Sequence, residues 1–276
     1  MDCKLPQRQE NSNKSTFGRV LNIAGSDYMP GAAYLSSVSA LKIGCGYCFL
    51  ASTERVINAV AAQTQNIVFV PLKNIPEQMK QTDIIEIGCG LSQNKEACQI
   101  FDTFLENIEQ DKKVLIDADG LNILSKNYEP FSEKQLKNVI LTPHPKEAAR
   151  LLGVNLEYVL SDLEKSAKLI TEKYHCTTVL KTHKTFVCAP DGRKYMNNTG
   201  NNALAKAGSG DVLAGMISGL MAQGMDLFEG ACLGVYLHGL CADLAREKLT
   251  EYSVMAEDLI SFIPNAIKYY LNINRI

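Results

Sequence analysis

The sequence lacks tryptophan altogether, and aromatic residues make up only 7% of its 276 positions. Proteins that bind single-stranded nucleic acid rely on aromatic stacking, so this class is disfavoured. An excess of positive charge is also missing, because 28 basic residues face 30 acidic ones and leave a net charge of −2. With that balance, the sequence indicates neither a positively charged surface that would bind nucleic acid nor a polybasic surface that would bind a membrane. The sequence therefore predicts that neither nucleic acid nor a membrane is a partner.

Long apolar runs and a hydrophobic leader are absent as well. Apolar stretches such as 231–237 fall well short of the roughly 20 residues that a membrane span needs. The first residues are polar and contain no signal-peptide core, so we expect a cytoplasmic protein. Nine cysteines are then expected to be reduced thiols, several of them in the core. The one C-x-x-C, at Cys45 and Cys48, lacks the second pair that a structural zinc site requires.

Short apolar segments alternate with helical patterns along most of the chain. The predicted buried strands are 19–26, 47–52, 67–72, 83–87, 114–117 and 139–141, and the predicted helices among them are 30–44, 54–62 and 95–108. This alternation indicates an α/β fold with a mostly parallel central sheet and helices on both faces. Close-spaced strands at 177–181, 184–189 and 193–196 predict an antiparallel edge, and helices beginning at Asp211, Asp226 and Met255 follow. No linker interrupts the pattern, so we predict a single domain over 15–276 after a mobile segment over 1–14.

The strongest local motif is Gly208-Ser209-Gly210-Asp211, which opens an apolar helical segment. A glycine-containing turn before a helix presents free N–H groups and the positive end of the helix dipole, which suit a phosphate. A carboxylate at that point is placed to take the proton of a hydroxyl that attacks phosphorus. The alternative is that Asp211 only caps the helix. The glycine- and amide-rich run 197–202 favours the functional interpretation, because long loops of this kind are rarely filler.

Polar residues also follow several of the predicted strands, at the edge where open α/β sheets bind ligands. His144 is held between two prolines in the segment 141–147, and its alternative is a plain surface histidine. Asp117, Asp119 and Asn122 supply two carboxylates and an amide that could hold a sugar hydroxyl or hydrated Mg²⁺. The alternative is that Asp119 caps a helix that starts near Leu121. The segment 181–185 either packs on an adenine or ribose or is a solvated turn. Neither a dinucleotide fingerprint nor a Walker loop is present, which excludes the commonest nucleotide sites.

In combination these motifs resemble those of the ATP/ADP-dependent NAD(P)H-hydrate dehydratases, a branch of the ribokinase-like superfamily. The resemblance runs from about residue 14 to residue 266. The similar motifs, in the family's order, are Phe17–Ala33, Gly88–Leu91, Asp117–Asn122, Leu141–Glu147, Gly208–Gly215 and Gly234–Gly239. The fold implied by this resemblance is a ribokinase-like three-layer sandwich.

The resemblance implies a carbon–oxygen lyase that repairs hydrated NADH and NADPH. ADP or ATP donates a phosphoryl group to the hydroxyl of the hydrated ring, phosphate leaves, and Mg²⁺ bridges the phosphates. By position, Asp211 matches the family's base, which takes the proton from this hydroxyl. The family's anion hole, which holds the transferred phosphoryl group, matches Gly208, Ser209 and Gly210. The nucleotide contacts match Lys181, Thr182, His183, Lys184, Thr185 and Gly210, and the contacts to the hydrated dinucleotide match Ala33, Gly90, His144 and Asp211. No residue is assigned as a direct metal ligand.

Some positions depart from the family pattern. They are Cys89 in place of proline, Thr182 in place of glycine, Lys206-Ala207 in place of Thr-Gly, and Ser209 in place of threonine. These departures leave the choice between ADP and ATP open. The residues before the first motif leave no room for the epimerase domain that is fused to some members, so a separate epimerase is expected. The resemblance also implies a homo-oligomer. Two alternatives stay open: a ribokinase-like kinase of a vitamin precursor or sugar, and a non-catalytic adenine-nucleotide sensor.

Overall fold

One mixed sheet forms the centre of the protein in the computed structural model, which describes residues 3–126 and 128–273. The order of its strands is β3-β2-β1-β4-β5-β6-β7-β8-β9. The strands are β1 (Arg19–Ile23), β2 (Tyr47–Ser52), β3 (Val68–Pro71), β4 (Ile84–Ile87), β5 (Lys113–Ile116), β6 (Asn138–Leu141), β7 (Thr177–Leu180), β8 (Phe186–Cys188) and β9 (Lys194–Met196). Pairing is parallel from β3 to β7 and antiparallel for β8 and β9. The predicted parallel sheet with an antiparallel edge is confirmed.

Helices cover both faces of the sheet, as predicted. They are α1 (Pro30–Ile43), α2 (Glu54–Ala61), α3 (Ile75–Gln81), α4 (Lys95–Asn107), α5 (Ala118–Leu124), α6 (Tyr128–Glu133), α7 (Pro145–Leu152), α8 (Leu156–Ser161), α9 (Leu163–Tyr174), α10 (Ser209–Ala222), α11 (Leu227–Lys248) and α12 (Ala256–Ile273). The sequence analysis left α3, α6, α8 and α9 unpredicted. These helices are 6 to 12 residues long, so the apolar period in each covers few turns.

Alternation along the strands creates the two layers of core. In β1, for example, Leu21 and Ile23 pack toward α4, α5, α7 and α9, whereas Val20 packs toward α1, α2, α10 and α11. Successive side chains of a strand point to opposite faces, so each strand contributes to both layers. A further apolar cluster joins α10 and α11 to α12. The result is the three-layer sandwich that the sequence predicts, with α12 packed outside one layer.

The closest helix contact in this core is between α1 and α10. A Cβ atom added to Gly215 of α10 would lie 2.0 Å from the carbonyl oxygen of Ser36 on α1. One turn later, a Cβ on Gly219 would lie 2.6 Å from the carbonyl oxygen of Ala40. Because glycine has no side chain at these two points, the two helix backbones touch directly. This contact fixes where the first turn of α10 lies.

Helix α11 is 22 residues long and apolar enough to cross a membrane by length and composition. Two-thirds of its most apolar window is nevertheless buried inside the protein (67%). Its buried residues pack against α10 and α12 and against the sheet. Burial in the core therefore accounts for the apolar character of this helix.

Part of the segment predicted to be mobile makes contacts with the domain. The guanidinium of Arg8 lies 3.9 Å above the ring of Phe17 and donates a hydrogen bond to the carbonyl oxygen of Gly44. The hydroxyl of Tyr270 donates to the carbonyl oxygen of Cys3. The first two residues lie outside the described part of the chain. The boundary between a mobile segment and a single domain stays a prediction.

Candidate active site

The candidate site lies where the order of the strands reverses, between β1 and β4. The N–H of Gly25, after β1, donates to the carbonyl oxygen of Cys89, after β4, at 2.8 Å. On the other side, the N–H of Lys181, after β7, donates to the carbonyl oxygen of Pro143, after β6, at 2.8 Å. The carboxyl ends of the parallel strands therefore form one edge, and a switch point of this kind is where α/β sheets place their ligands.

The first turn of α10 has the geometry of an anion-binding site. Gly208 precedes the helix with φ of +88°, and no side chain caps the helix there. Within the described part of the chain, no backbone hydrogen bond is donated by the N–H groups of Gly210 and Asp211. These N–H groups and the helix dipole suit a phosphate oxygen. Asp211 is the third residue of the helix rather than its cap, so the capping alternative does not describe it.

Asp211 is largely enclosed, and its surroundings are acidic. Burial raises the pKa of Asp211 to about 6, and the negative charge of Asp117 adds to the shift, while Lys181 lowers it. One ligating atom each from Cys89, Asp117 and Asp211 lies within 4.8 Å of the others. A carboxylate with a pKa near 6 is well suited to accept a proton close to neutral pH.

A buried ion pair stands beside the start of α10. The ammonium of Lys181 lies 2.5 Å from Oδ1 of Asp117, and their side chains are 18% and 1% exposed. Burial opposes the charge on Lys181, but the carboxylates of Asp117 and Glu147 outweigh it and raise the pKa of this lysine. A Cβ on Gly210 would lie 3.4 Å from the ammonium. A fixed positive charge therefore adjoins the N–H groups of α10.

The rest of the predicted nucleotide segment is a compact turn. The hydroxyl of Thr182 donates to the carbonyl oxygen of Lys184 at 2.8 Å, and the hydroxyl of Thr185 donates to the carbonyl oxygen of Thr182 at 3.3 Å. His183 and Lys184 are exposed, whereas Thr185 is buried. The turn starts at Lys181 and so begins at the site. Its nucleotide contacts stay a prediction.

His144 has a structural role that the sequence analysis did not predict. It is the N-cap of α7, and its Nδ1 accepts from the N–H groups of Lys146 and Glu147 at 3.1 and 3.3 Å. The ring proton of the neutral form therefore lies on Nε2, which is 3.3 Å from Oε1 of Glu147. Burial, and then the charge of Lys181, lower the pKa of His144, so the neutral form is favoured. The sequence identified the residue, but the capping box with Glu147 explains its orientation.

The other predicted substrate contacts meet at the start of α1. Gly90 has φ of +62°, and a Cβ there would lie 2.6 Å from the Cβ of Ala32. Ala33 is completely buried beneath Gly25. The structure thus brings Gly90 and the first turn of α1 together at the sheet edge but turns the methyl group of Ala33 inward. The assignment of both residues to the substrate stays a prediction.

The three residues predicted to face a hydrated Mg²⁺ are divided between two networks. Asp117 belongs to the central cluster with Lys181. Asp119 instead accepts from the N–H of Ser92 at 2.8 Å, and Asn122 accepts from the guanidinium of Arg150 at 2.7 Å. These bonds tie α5 to the loop after β4 and to α7. Helix α5 begins at Ala118 rather than near Leu121, so Asp119 lies in its first turn and is not its N-cap.

Two buried polar residues near the site escaped the sequence analysis. Glu86, in the middle of β4, is completely buried, and its Oε2 has no hydrogen-bond partner in the described structure. Burial raises the pKa of Glu86 to about 8, and Asp117 contributes to the shift. His238 on α11 lies 3.3 Å from the hydroxyl of Ser209. Each is a polar residue inside an otherwise apolar segment, and this pattern is the feature of the sequence that could have identified them.

Acidification should destabilise the fold through His238. Burial lowers the pKa of this histidine to about 4, against about 6.5 in an unfolded chain. Its contribution to stability is therefore complete above pH 6.5 and is lost as the pH falls toward 4, with a loss that approaches about 3 kcal/mol. Urea unfolding at several pH values in this range should show that the free energy of unfolding falls less steeply with decreasing pH for His238→Gln than for the unchanged protein. The exposed His183→Gln serves as the control, and equal slopes in all three proteins would contradict the assignment.

Known proteins are similar to this chain along most of its length. The family model described as NAD(P)H-hydrate dehydratase matches residues 20–265. The ADP-dependent (S)-NAD(P)H-hydrate dehydratase of Neisseria meningitidis is 41% identical over 244 residues, which cover 87% of this chain and 81% of that protein. A bifunctional NAD(P)H-hydrate repair enzyme of Moorella thermoacetica is 33% identical over 96% of this chain, which spans only 52% of that enzyme.

A solved structure shows the same similarity. It is that of the ADP/ATP-dependent NAD(P)H-hydrate dehydratase from Bacillus subtilis, co-crystallised with ATP and Mg²⁺. It superposes with a TM-score of 0.84 at 32% identity and covers 96% of this chain and 94% of the other. The similarity therefore extends over nearly the whole length of both chains.

Proposed function

This chain belongs to the NAD(P)H-hydrate dehydratase family. From that premise we propose that it converts hydrated NADH and NADPH back to NADH and NADPH, and that the reaction consumes ADP or ATP. The observation that carries the proposal is the position of Asp211, a base with a raised pKa in the phosphate-binding turn of α10. A base and an anion site on the same helical turn can act on one hydroxyl and one phosphoryl group. The comparisons favour the dehydratase over the kinase and sensor alternatives.

The first step of the proposed reaction is phosphoryl transfer. The N–H groups at the start of α10 and the ammonium of Lys181 hold the phosphoryl group of the nucleotide and stabilise the charge on its oxygens. The carboxylate of Asp211 takes the proton from the hydroxyl of the hydrated nicotinamide ring. The hydroxyl oxygen then bonds to phosphorus, and the bond from phosphorus to the nucleotide breaks.

The second step is elimination. The ring C–O bond breaks, and phosphate leaves with the bonding electrons, which a hydroxide would do far less readily. A proton passes from the neighbouring ring carbon to the departing phosphate, and the double bond of the reduced nicotinamide is restored. Asp211 returns its proton to solvent before the next turnover, which its pKa near 6 allows. The sum of both steps converts the hydrate and a nucleotide into NAD(P)H, phosphate, the shortened nucleotide and the proton that Asp211 releases.

Magnesium fits the oxygen donors of this site. Asp117 and Asp211 offer carboxylates next to the phosphate-binding turn, and Mg²⁺ prefers carboxylates, phosphates and water. We expect Asp117 to hold the ion through its water molecules, which leaves the carboxylate of Asp211 free to act as the base. When bound, Mg²⁺ neutralises charge on the phosphates of the nucleotide. Asp119 and Asn122 are held by Ser92 and Arg150, so they are expected to contribute only indirectly.

The wider biology stays a proposal. We propose a cytoplasmic homo-oligomer that is functionally linked to an NAD(P)H-hydrate epimerase activity, which acts on the other epimer of the hydrate. The bifunctional relatives, of which this chain matches about half, support a functional connection to a second repair activity.

The proposed function predicts a direct spectroscopic result. Purified protein with hydrated NADH, Mg²⁺ and either ADP or ATP should restore the near-ultraviolet absorbance of the reduced nicotinamide ring. The increase should require both protein and nucleotide, and the effective nucleotide identifies the donor. A stable phosphorylated product would support the kinase alternative. Nucleotide binding by calorimetry without any turnover would support the sensor alternative.

A further inference from the structure

A buried histidine contacts the phosphate-binding turn of α10 from inside the protein. All four histidines of the chain fall within the described residues, and of these only His238, on α11, is buried, with 6% of its surface exposed. Its Nε2 lies 3.3 Å from Oγ of Ser209, the first residue of α10, which is also 6% exposed. Because a buried imidazole is costly unless it is hydrogen-bonded, the contact with Ser209 stabilises the ring at this position.

The imidazole is the donor in this contact. Burial lowers the pKa of His238 to about 4, and a hydrogen bond to the backbone of Ser209 opposes the shift. A hydrogen bond that favours the protonated ring is one in which the ring nitrogen donates. The charge of Lys181 lowers the pKa as well, so the ring is neutral near pH 7. A neutral imidazole has a single N–H, and the contact with Ser209 places it on Nε2.

Ser209 connects the loop before α10 to the N–H groups that face the site. Its own N–H donates to the carbonyl oxygen of Lys206 at 3.3 Å, which closes the turn around Gly208. The N–H groups of Gly210 and Asp211 follow directly, and within the described residues they donate no backbone hydrogen bond. A rotation of Ser209 would therefore change the direction of both free N–H groups.

Helix α11 is a firm base for this contact. A Cβ atom added to Gly234, one turn before His238, would lie 2.6 Å from Cγ1 of Ile217 on α10, so the two helices pack closely there. The hydroxyl of Thr199, in the loop that precedes α10, donates to the carbonyl oxygen of Tyr236 at 2.8 Å. The stretch of α11 around the histidine thus contacts both α10 and the loop that leads into it.

We propose that His238 is a positioning residue, which orients the phosphate-binding turn through a hydrogen bond from its Nε2–H to Oγ of Ser209. The bond holds the first residue of α10 against α11 and so fixes the direction of the N–H groups of Gly210 and Asp211. A phosphoryl group then meets both donors without a prior rearrangement, which is the advantage of a preorganised anion site. That this group belongs to ADP or ATP rests on the proposed function.

Calorimetry of nucleotide binding tests this role without the dehydratase reaction. His238→Leu removes the donor, so the dissociation constant of ADP or ATP with Mg²⁺ should rise about fivefold to tenfold, the range for one hydrogen bond. His238→Gln keeps an N–H near the position of Nε2 and should bind almost normally.

Cys241→Ala is the matched control, because it removes a buried side chain from the same helix. Partial unfolding lowers the number of binding sites but not the affinity of those that remain, so this variant should keep the normal dissociation constant. An unchanged dissociation constant in His238→Leu, or an equal rise in Cys241→Ala, would overturn the proposal.

A double variant shows whether His238 acts through Ser209. Ser209→Ala removes the acceptor and should raise the dissociation constant by a similar factor, and adding His238→Leu to it should raise the constant no further. Effects that multiply in the double variant would refute the route through Ser209. The ¹⁵N chemical shifts of the His238 ring should show the Nε2–H tautomer at pH 7, and an Nδ1–H tautomer would contradict the assigned donor.

Failure of the proposed function gives a different result. Nucleotide affinity that depends on His238 as expected, in a protein that does not convert hydrated NADH, would support the positioning role and refute the dehydratase. Turnover by the unchanged protein together with normal nucleotide affinity in His238→Leu would do the reverse. Absence of nucleotide binding by the unchanged protein would overturn both proposals.

Discussion

Asp211→Asn should lower kcat on the order of a hundredfold or more, the usual contribution of a general base. Asparagine has nearly the same shape but cannot accept the proton of the attacking hydroxyl. The N–H groups at the start of α10 and the ammonium of Lys181 remain in place, so nucleotide binding should change little. Turnover measured through the recovery of reduced nicotinamide, together with calorimetry of nucleotide binding, separates the two effects.

The pH dependence of the same variant gives a second criterion. Because burial raises the pKa of Asp211 to about 6, the unchanged enzyme should lose activity as the pH falls through this value and the carboxylate gains a proton. The residual activity of Asp211→Asn should lack this acid limb. Asp102→Asn, on the exposed surface of α4, makes the same change in charge away from the site and should behave normally. Near-normal turnover in Asp211→Asn would exclude the proposed base.

Gly215→Ala should have the largest effect on stability. The added methyl group would lie 2.0 Å from the carbonyl oxygen of Ser36, a backbone atom that cannot rotate away. Helices α1 and α10 would have to separate, and overpacking of this kind costs about 3 kcal/mol or more. Urea unfolding should show the loss directly. Because α10 also carries Asp211, activity should fall even under conditions where the variant remains folded.

Gly31→Ala is the matched control for this prediction. Gly31 lies in the first turn of α1, and a Cβ atom added there would meet nothing within 4 Å. The same chemical change should therefore alter the free energy of unfolding by no more than about 1 kcal/mol, and alanine is the better helix former. Equal stabilities of the two variants would show that α1 and α10 adapt to the extra methyl group without cost.

The sheet was predictable because each of its strands is a short apolar run. The strand β2 was placed at its observed boundaries, and the remaining predicted strands deviate by only a few residues. Polar residues directly after such runs indicated the edge that carries the site, since parallel strands end on the same side. Asp117, Lys181, Gly210 and Asp211 do meet there.

The partners of the site residues could not be predicted in the same way, because they depend on packing between distant segments. The sequence around Asn122 does not indicate that its amide oxygen will accept a hydrogen bond from the guanidinium of Arg150. Likewise, Nδ1 of His144 accepts a hydrogen bond from the N–H of Lys146 in the first turn of α7. This bond depends on the geometry of the backbone there, which the residue type alone does not give. The pKa of Asp211 depends on burial and on Asp117, which lies 94 positions earlier in the chain.

The contact between α1 and α10 has a consequence for synthesis on the ribosome. Ser36 and Gly215 are about 180 residues apart, so α1 emerges long before its closest partner exists. At a translation rate of roughly 5–20 residues per second, this interval lasts on the order of 10–40 seconds. During that time the face of α1 that contains Ser36 and Ala40 is exposed to solvent and to other chains. Chaperone protection of the nascent chain would be most valuable in this window, and slower translation before α10 would prolong the exposure.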